Sequence, residues 1–154
     1  FMTEKRMLVA LDVATNMGVV YKTVGGKFIC TTYKGTPVEQ VEMLLDVLGD
    51  DLSNCSVFIE QLNDFINANT VRSLLKRVGY IEHSLVQRGA TVEYFNAMSA
   101  RKYVGAKKKA DVHAMFSKFG LDPDQSDAMA IMCFAMDYSP TLILEEDVVC
   151  LTKE

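Results

Sequence analysis

No stretch of this sequence approaches the roughly 18 consecutive apolar residues that a membrane span requires, and no signal-peptide pattern opens it. A cytoplasmic chain with no membrane partner is therefore expected. Cysteine is sparse and scattered. Cys30, Cys55, Cys133 and Cys150 form no Cys-x-x-Cys, which argues against a thiolate zinc centre, and three of them lie inside apolar runs, as reduced core thiols do. Repeats, low-complexity tracts and linkers are missing too, so residues 1–154 read as one domain, large enough to bury a core without staples. Within it, 1–6 is an N-terminal segment whose Phe1-Met2 start reads as a cloning remnant, and 140–154 is an acidic C-terminal segment.

An excess of positive charge is also lacking. With 16 Lys and Arg against 20 Asp and Glu, the formal charge is −4, on its face unlike a nucleic-acid binder. The imbalance is local, however. Five acids and one base lie from Asp137 onward, so residues 1–136 hold 15 of each sign. Setting aside the four acids singled out below leaves 11 acidic against 15 basic side chains, and a metal-loaded form could present a basic face.

What is present centres on Leu121-Asp122-Pro123-Asp124-Gln125-Ser126-Asp127, running into Ala128-Met129-Ala130-Ile131-Met132. Asp122 suits an N-cap, Pro123 the first helical position and Gln125 the reciprocal position of a capping box, so a buried helix starts here and runs to about Tyr138. Asp124 and Asp127, three residues apart, then lie on neighbouring stripes of that helix, about 4.5 Å apart along its axis. Asp124 alone would serve the helix macrodipole. Acids also end two strand-like runs, Met7 to Asp12 and Ser56 to Glu60, and an ionised carboxylate on an apolar strand is costly to bury without a cation. Together the three segments point to a shared metal site.

Taken in order, the chain reads as a buried strand to Asp12, a turn over 13–18, and a hairpin of 18–24 and 27–33 about Gly25-Gly26. Thr36-Pro37-Val38-Glu39 is a capping box opening a helix to about Leu48, with Val38, Val41, Leu44, Leu45 and Leu48 buried. A strand at 56–61, a loop or helix start at 62–67, a long helix to about Arg88, a fifth strand at 90–95 and short helices near 98–103 and 110–119 follow. On the long helix, Arg72, Lys76 and Arg77 read as a solvated face. His83 and His113 read as structural histidines and the methionines as core filler. The order β-β-β-α-β-α-β-α predicts an α/β, ribonuclease H-like fold: a five-stranded mixed sheet with helices on both faces and the first and fourth strands adjacent.

At Leu11-Asp12-Val13-Ala14-Thr15-Asn16-Met17-Gly18, Ile59-Glu60-Gln61, Val92-Glu93-Tyr94, Ala100-Arg101-x-x-Val104-Gly105, Lys109-x-x-Val112-x-x-Met115 and Asp124-x-x-Asp127-Ala128-x-Ala130-Ile131, the chain resembles the RuvC-type Holliday-junction resolvases, more narrowly their short phage members. The resemblance covers roughly residues 7–137. It implies a Mg²⁺-dependent endodeoxyribonuclease that resolves Holliday junctions and other branched DNA in recombination and repair, working as a homodimer in the cytoplasm, a host's if phage-encoded. Two Mg²⁺ ions per site are implied, with Mn²⁺ able to substitute, held by Asp12, Glu60, Asp124 and Asp127, Asp12 bridging and Asp124 the weaker ligand. Lys109 would approach the scissile phosphate. Lys107, Lys108, Arg101 and Lys102 would contact DNA, and Phe65 would stack at the junction. Other readings are a ribonuclease H-like nuclease acting on flaps or RNA:DNA hybrids, and a non-catalytic nucleic-acid-binding protein. The helix from about Thr70 to Arg88 offers the dimer surface.

Overall fold

The computed structural model describes residues 6–61 and 68–151. Its strands are β1 (Met7–Asp12), β2 (Asn16–Lys22), β3 (Phe28–Lys34), β4 (Cys55–Gln61), β5 (Thr91–Asn96) and β6 (Val148–Cys150). The helices are α1 (Pro37–Leu48), α2 (Ala68–Gln87), α3 (Ala97–Val104), α4 (Lys109–Ser117) and α5 (Pro123–Met136). The strands form one mixed sheet in the order β5-β4-β1-β2-β3-β6. β1, β2 and β3 pair antiparallel, whereas β4 runs parallel to β1 and β5 parallel to β4.

β1 is apolar on both faces because both are covered, and its residues divide with the period of two that a strand imposes. Val9 and Leu11 enter a core with Val41 and Leu44 of α1 and Val78, Ile81 and Leu85 of α2. Ala10 enters the opposite core, with Val112 and Phe116 of α4 and Met129, Ile131 and Met132 of α5. α5 is buried around most of its circumference, from Ala128 through Cys133, as expected of a helix wedged between a sheet and two other helices. Phe95 and Phe134 meet edge to face at 5.7 Å between centroids, linking the β5 edge to α5.

Four expectations change. The sheet has six strands, not five: Val148 to Cys150 run parallel to β3, in register with Phe28 to Cys30. Three residues preceded by a run of acids carry too little pattern to read as a strand, and the pairing is steadied by Lys27 Nζ at 3.3 Å from Asp147 Oδ1. β2 begins at Asn16, so the turn after Asp12 spans only Val13 to Thr15. On α1 the capping box forms as read, but Val38 is 50% exposed and Gln40 takes its place on the buried face. Arg77 is no solvated cation. Its Nη1 donates to Gly35 O (2.8 Å) and to Gln40 Oε1 (2.9 Å), and Gln40 Nε2 donates to the carbonyls of Ala14, Thr15 and Tyr33 at 2.8, 3.1 and 2.9 Å. The segment 62–67, with Phe65, lies outside the described residues.

Candidate active site

β1 and β4 end side by side at their carboxyl ends. Leu11 pairs with Ile59, so Asp12 and Glu60, one step further on, project from the same face, the one carrying Ala10 and Phe58 toward α5. Two acids distant in sequence become neighbours because a parallel register leaves them no alternative.

α5 is fastened above them by its own first turn. Asp122 Oδ1 accepts from the Gln125 amide at 2.8 Å, and Gln125 Oε1 accepts from the Asp122 amide at 3.1 Å, completing the capping box. Thr32 of β3 pins this cap to the sheet: its hydroxyl donates to Asp122 Oδ2 (2.9 Å) and accepts from Gln125 Nε2 (3.1 Å). Thr32 is the β-ladder partner of Gly18, where helix and sheet touch backbone to backbone. A Cβ on Gly18 would stand 2.0 Å from Asp124 O and 2.9 Å from Gln125 N, so only glycine permits this approach. Thus Gly18, the last residue of the Asp12 motif, sets how closely Asp124 and Asp127 approach the strands.

α4 closes the third side. Lys109 and His113, four residues apart, share a helix face and both reach Asp127: Lys109 Nζ lies 3.4 Å from Oδ2 and His113 Nε2 3.2 Å from Oδ1. The cleft between these parts is lined by Glu60, Ala97, Ala100, Arg101, Lys109, Asp127, Ala130 and Ile131, with a volume of about 60 Å³. That is room for a few waters or a small ion.

The electrostatics of this cluster are unfavourable as it stands. Burial, then Glu60 and Asp127, raise the Asp12 carboxyl to about 8, against the pull of Lys109, with Asp124 adding a weaker push. Burial and Asp127 also raise Glu60, opposed by Lys109 and Arg101. For Lys109 burial acts downward, but Asp127, Asp12 and Glu60 together hold its ammonium above the ordinary lysine range. The Ser126 hydroxyl, between the two α5 acids in sequence, is fully buried with no hydrogen-bond partner among the described residues. Among the described residues, no three Asp, Glu, His or Cys side chains are already drawn into a closed metal-binding set. The donor chemistry nevertheless suits a hard divalent cation: the acids offer only oxygen, repel one another, and already hold an ammonium among them.

Asp12, Glu60, Asp127 and Lys109 therefore act on one another electrostatically, and Asp124 acts on Asp12 from the edge of the group. Arg101 lines the cleft and also an open groove beside it, shared with Met98, Ser99, Lys102, Ala106 and Lys107. The Lys107 and Lys108 side chains are exposed, and their amides donate to Asp111 Oδ2 at 3.2 and 3.0 Å, which starts α4 and so aims Lys109. His113, read as an ordinary structural residue, contacts Asp127 Oδ1 at 3.2 Å. Its spacing of four from Lys109 was the available signal. Thr32 had none, because its role depends on a ladder pairing with Gly18.

No protein-family model matches the sequence, and no curated protein matches it. Solved structures do. RuvC of Thermus thermophilus in complex with a Holliday junction substrate superposes with a TM-score of 0.62 at 14% identity, over 82% of this chain and 89% of that one. A second Thermus thermophilus RuvC structure gives 0.56 at 15% identity, over 81% and 90%. With its mixed sheet, β1 beside β4 and α5 packed over β1 and β2, this chain has the ribonuclease H-like fold of these RuvC structures.

Proposed function

We propose that the protein is a metal-dependent endodeoxyribonuclease that resolves Holliday junctions and other branched DNA by phosphodiester hydrolysis. The observation that carries this reading is that Glu60, Asp127 and Lys109 line one partly buried cleft and are electrostatically coupled to Asp12, with more acids than neighbouring cations. Asp12, Glu60 and Asp127 would hold Mg²⁺, or Mn²⁺ in its place, with Asp124 a weaker or indirect contributor. When bound, a pair of such ions supplies polarisation of the scissile phosphate and a lowered pKa for the attacking water.

The chain's own groups do the rest. Lys109, 65% exposed at its side chain and aimed at the cleft, can donate to a non-bridging oxygen of the scissile phosphate as negative charge builds there. Arg101, Lys102, Lys107 and Lys108 line or flank the adjoining groove, where an acid-free lining suits the phosphates on either side of the cut. Phe65 is assigned to stacking against the opened junction, on sequence grounds alone. A four-way junction presents two symmetric strands, so a homodimer is part of the proposal. α2 supports it: Leu75 and Val86 are 51% and 47% exposed and fall on one stripe with Gly79, whose Cβ position is open. No helix among the described residues is long and apolar enough to cross a membrane.

The test is to incubate an immobile four-way junction, a flap, a linear duplex and an RNA:DNA hybrid with the protein, with and without Mg²⁺. Paired symmetric nicks in the junction, only with Mg²⁺, are expected. Preference for the flap or hybrid would reassign the substrate, and binding without cutting on every substrate would leave a non-catalytic nucleic-acid-binding protein.

A further inference from the structure

Asp127 has two partners on α4, and they differ in what they can do. Lys109 carries a point charge on a flexible stem, is largely exposed, and lies 3.4 Å from Oδ2, beyond the usual 2.7–3.2 Å range of an N–H···O bond. It attracts the carboxylate without fixing its orientation. His113 is a planar ring, 28% exposed at its side chain, held at 3.2 Å from Oδ1. It rises from a helix anchored by Val112 and Phe116, both fully buried. An ionised carboxylate only accepts, so Nε2 carries the proton in this contact and donates to Oδ1.

We infer that His113 is the positioning residue for Asp127: by holding Oδ1 against α4, it turns Oδ2 toward Glu60 and Asp12. Lys109 contributes charge there and His113 contributes direction. A hydrogen-bond donor behind a ligating carboxylate fixes its rotamer, and losing such a partner typically lowers metal affinity by about 10- to 100-fold. The inference rests on Asp127 being a metal ligand, as proposed above, but not on the substrate being DNA.

It is tested by calorimetric titration of the DNA-free protein with Mn²⁺. His113→Ala is expected to bind Mn²⁺ about 10- to 100-fold more weakly than the wild type. His113→Gln, whose amide nitrogen can stand where Nε2 stands, should recover most of that affinity. Lys109→Ala also removes an Asp127 partner, but it removes a competing cation, so its Mn²⁺ affinity should be unchanged or higher. Equal affinity in wild type and His113→Ala, no rescue by His113→Gln, or an equal loss in Lys109→Ala would each overturn the inference, as would a wild type that binds no Mn²⁺. Because the titration contains no DNA, failure of the positioning role and failure of the junction substrate are told apart.

Discussion

Two polar clusters sit on opposite faces of the same sheet, and they obey opposite rules. In the one beneath α1, Gln40 is fully buried and both ends of its amide are used: the nitrogen serves three carbonyls and the oxygen accepts from Arg77. In the other, under α5, Asp12 and Glu60 are pushed together with Asp127 and share chiefly Lys109 as a counter-charge. The first cluster is satisfied and holds the Val13–Thr15 turn in place; the second holds groups that the fold alone leaves in conflict. Buried polarity therefore separates into two kinds here, and unresolved repulsion marks the kind to which the proposed chemistry is assigned.

That contrast can be broken most directly at Asp12. Asp12→Asn keeps the shape and removes a carboxylate whose ionisation burial and its neighbours oppose, so cleavage in Mg²⁺ should fall below detection in a gel assay while junction binding persists and thermal stability holds or rises. Normal turnover by this variant would erase the distinction. Gln40→Ala is the converse experiment. It takes one of two acceptors from the Arg77 guanidinium and a donor from the part-buried carbonyls of Ala14, Thr15 and Tyr33, at a cost of about 2–4 kcal/mol, and should leave the cleavage rate nearly intact below the melting point. For a chain of this size the melting temperature should drop by roughly 5–15 °C. A large loss of activity with little loss of stability would show that the two clusters are not separable.

The smallest effect is a pH dependence. Asp12 titrates near 8 in the folded protein and about 3.8 unfolded, so the folded form holds its proton more tightly. Its contribution is therefore most favourable at low pH and is lost as pH rises from about 4 through 8; Glu60, also raised, acts in the same direction. Metal-free protein should accordingly melt lower at about pH 9 than at about pH 6. Asp12→Asn should flatten most of that slope, and an unchanged slope in the variant would count against a buried Asp12.

The sheet's first five strands and the capped starts of α1 and α5 were legible because each is written in local chemistry: apolar runs that end in an acid, Thr36 with Glu39, Asp122 with Gln125. The carboxylate group was legible for the same reason, since an acid closing an apolar strand is anomalous on its own. What escaped depends on partners remote in the chain. β6 is a strand because β3 offers an edge, not because three residues favour it. Arg77 looks solvated until Gln40 and Gly35 arrive from 37 and 42 residues away. His113 looks incidental until α5 brings Asp127 beside it. Phe65 lies outside the described residues, so its assignment rests on the sequence.

The bare Cα of Gly18 acts as a spacer of no thickness. Side chains can swing aside, but here main chain rests on main chain, so the closest approach of the start of α5 to β2 is limited by backbone rather than by repacking. The distance between the acids of the helix and those of the strands is consequently a property of the polypeptide frame. Any side chain at position 18 would have to push the start of α5 off the sheet, and with it the two acids of its first turns.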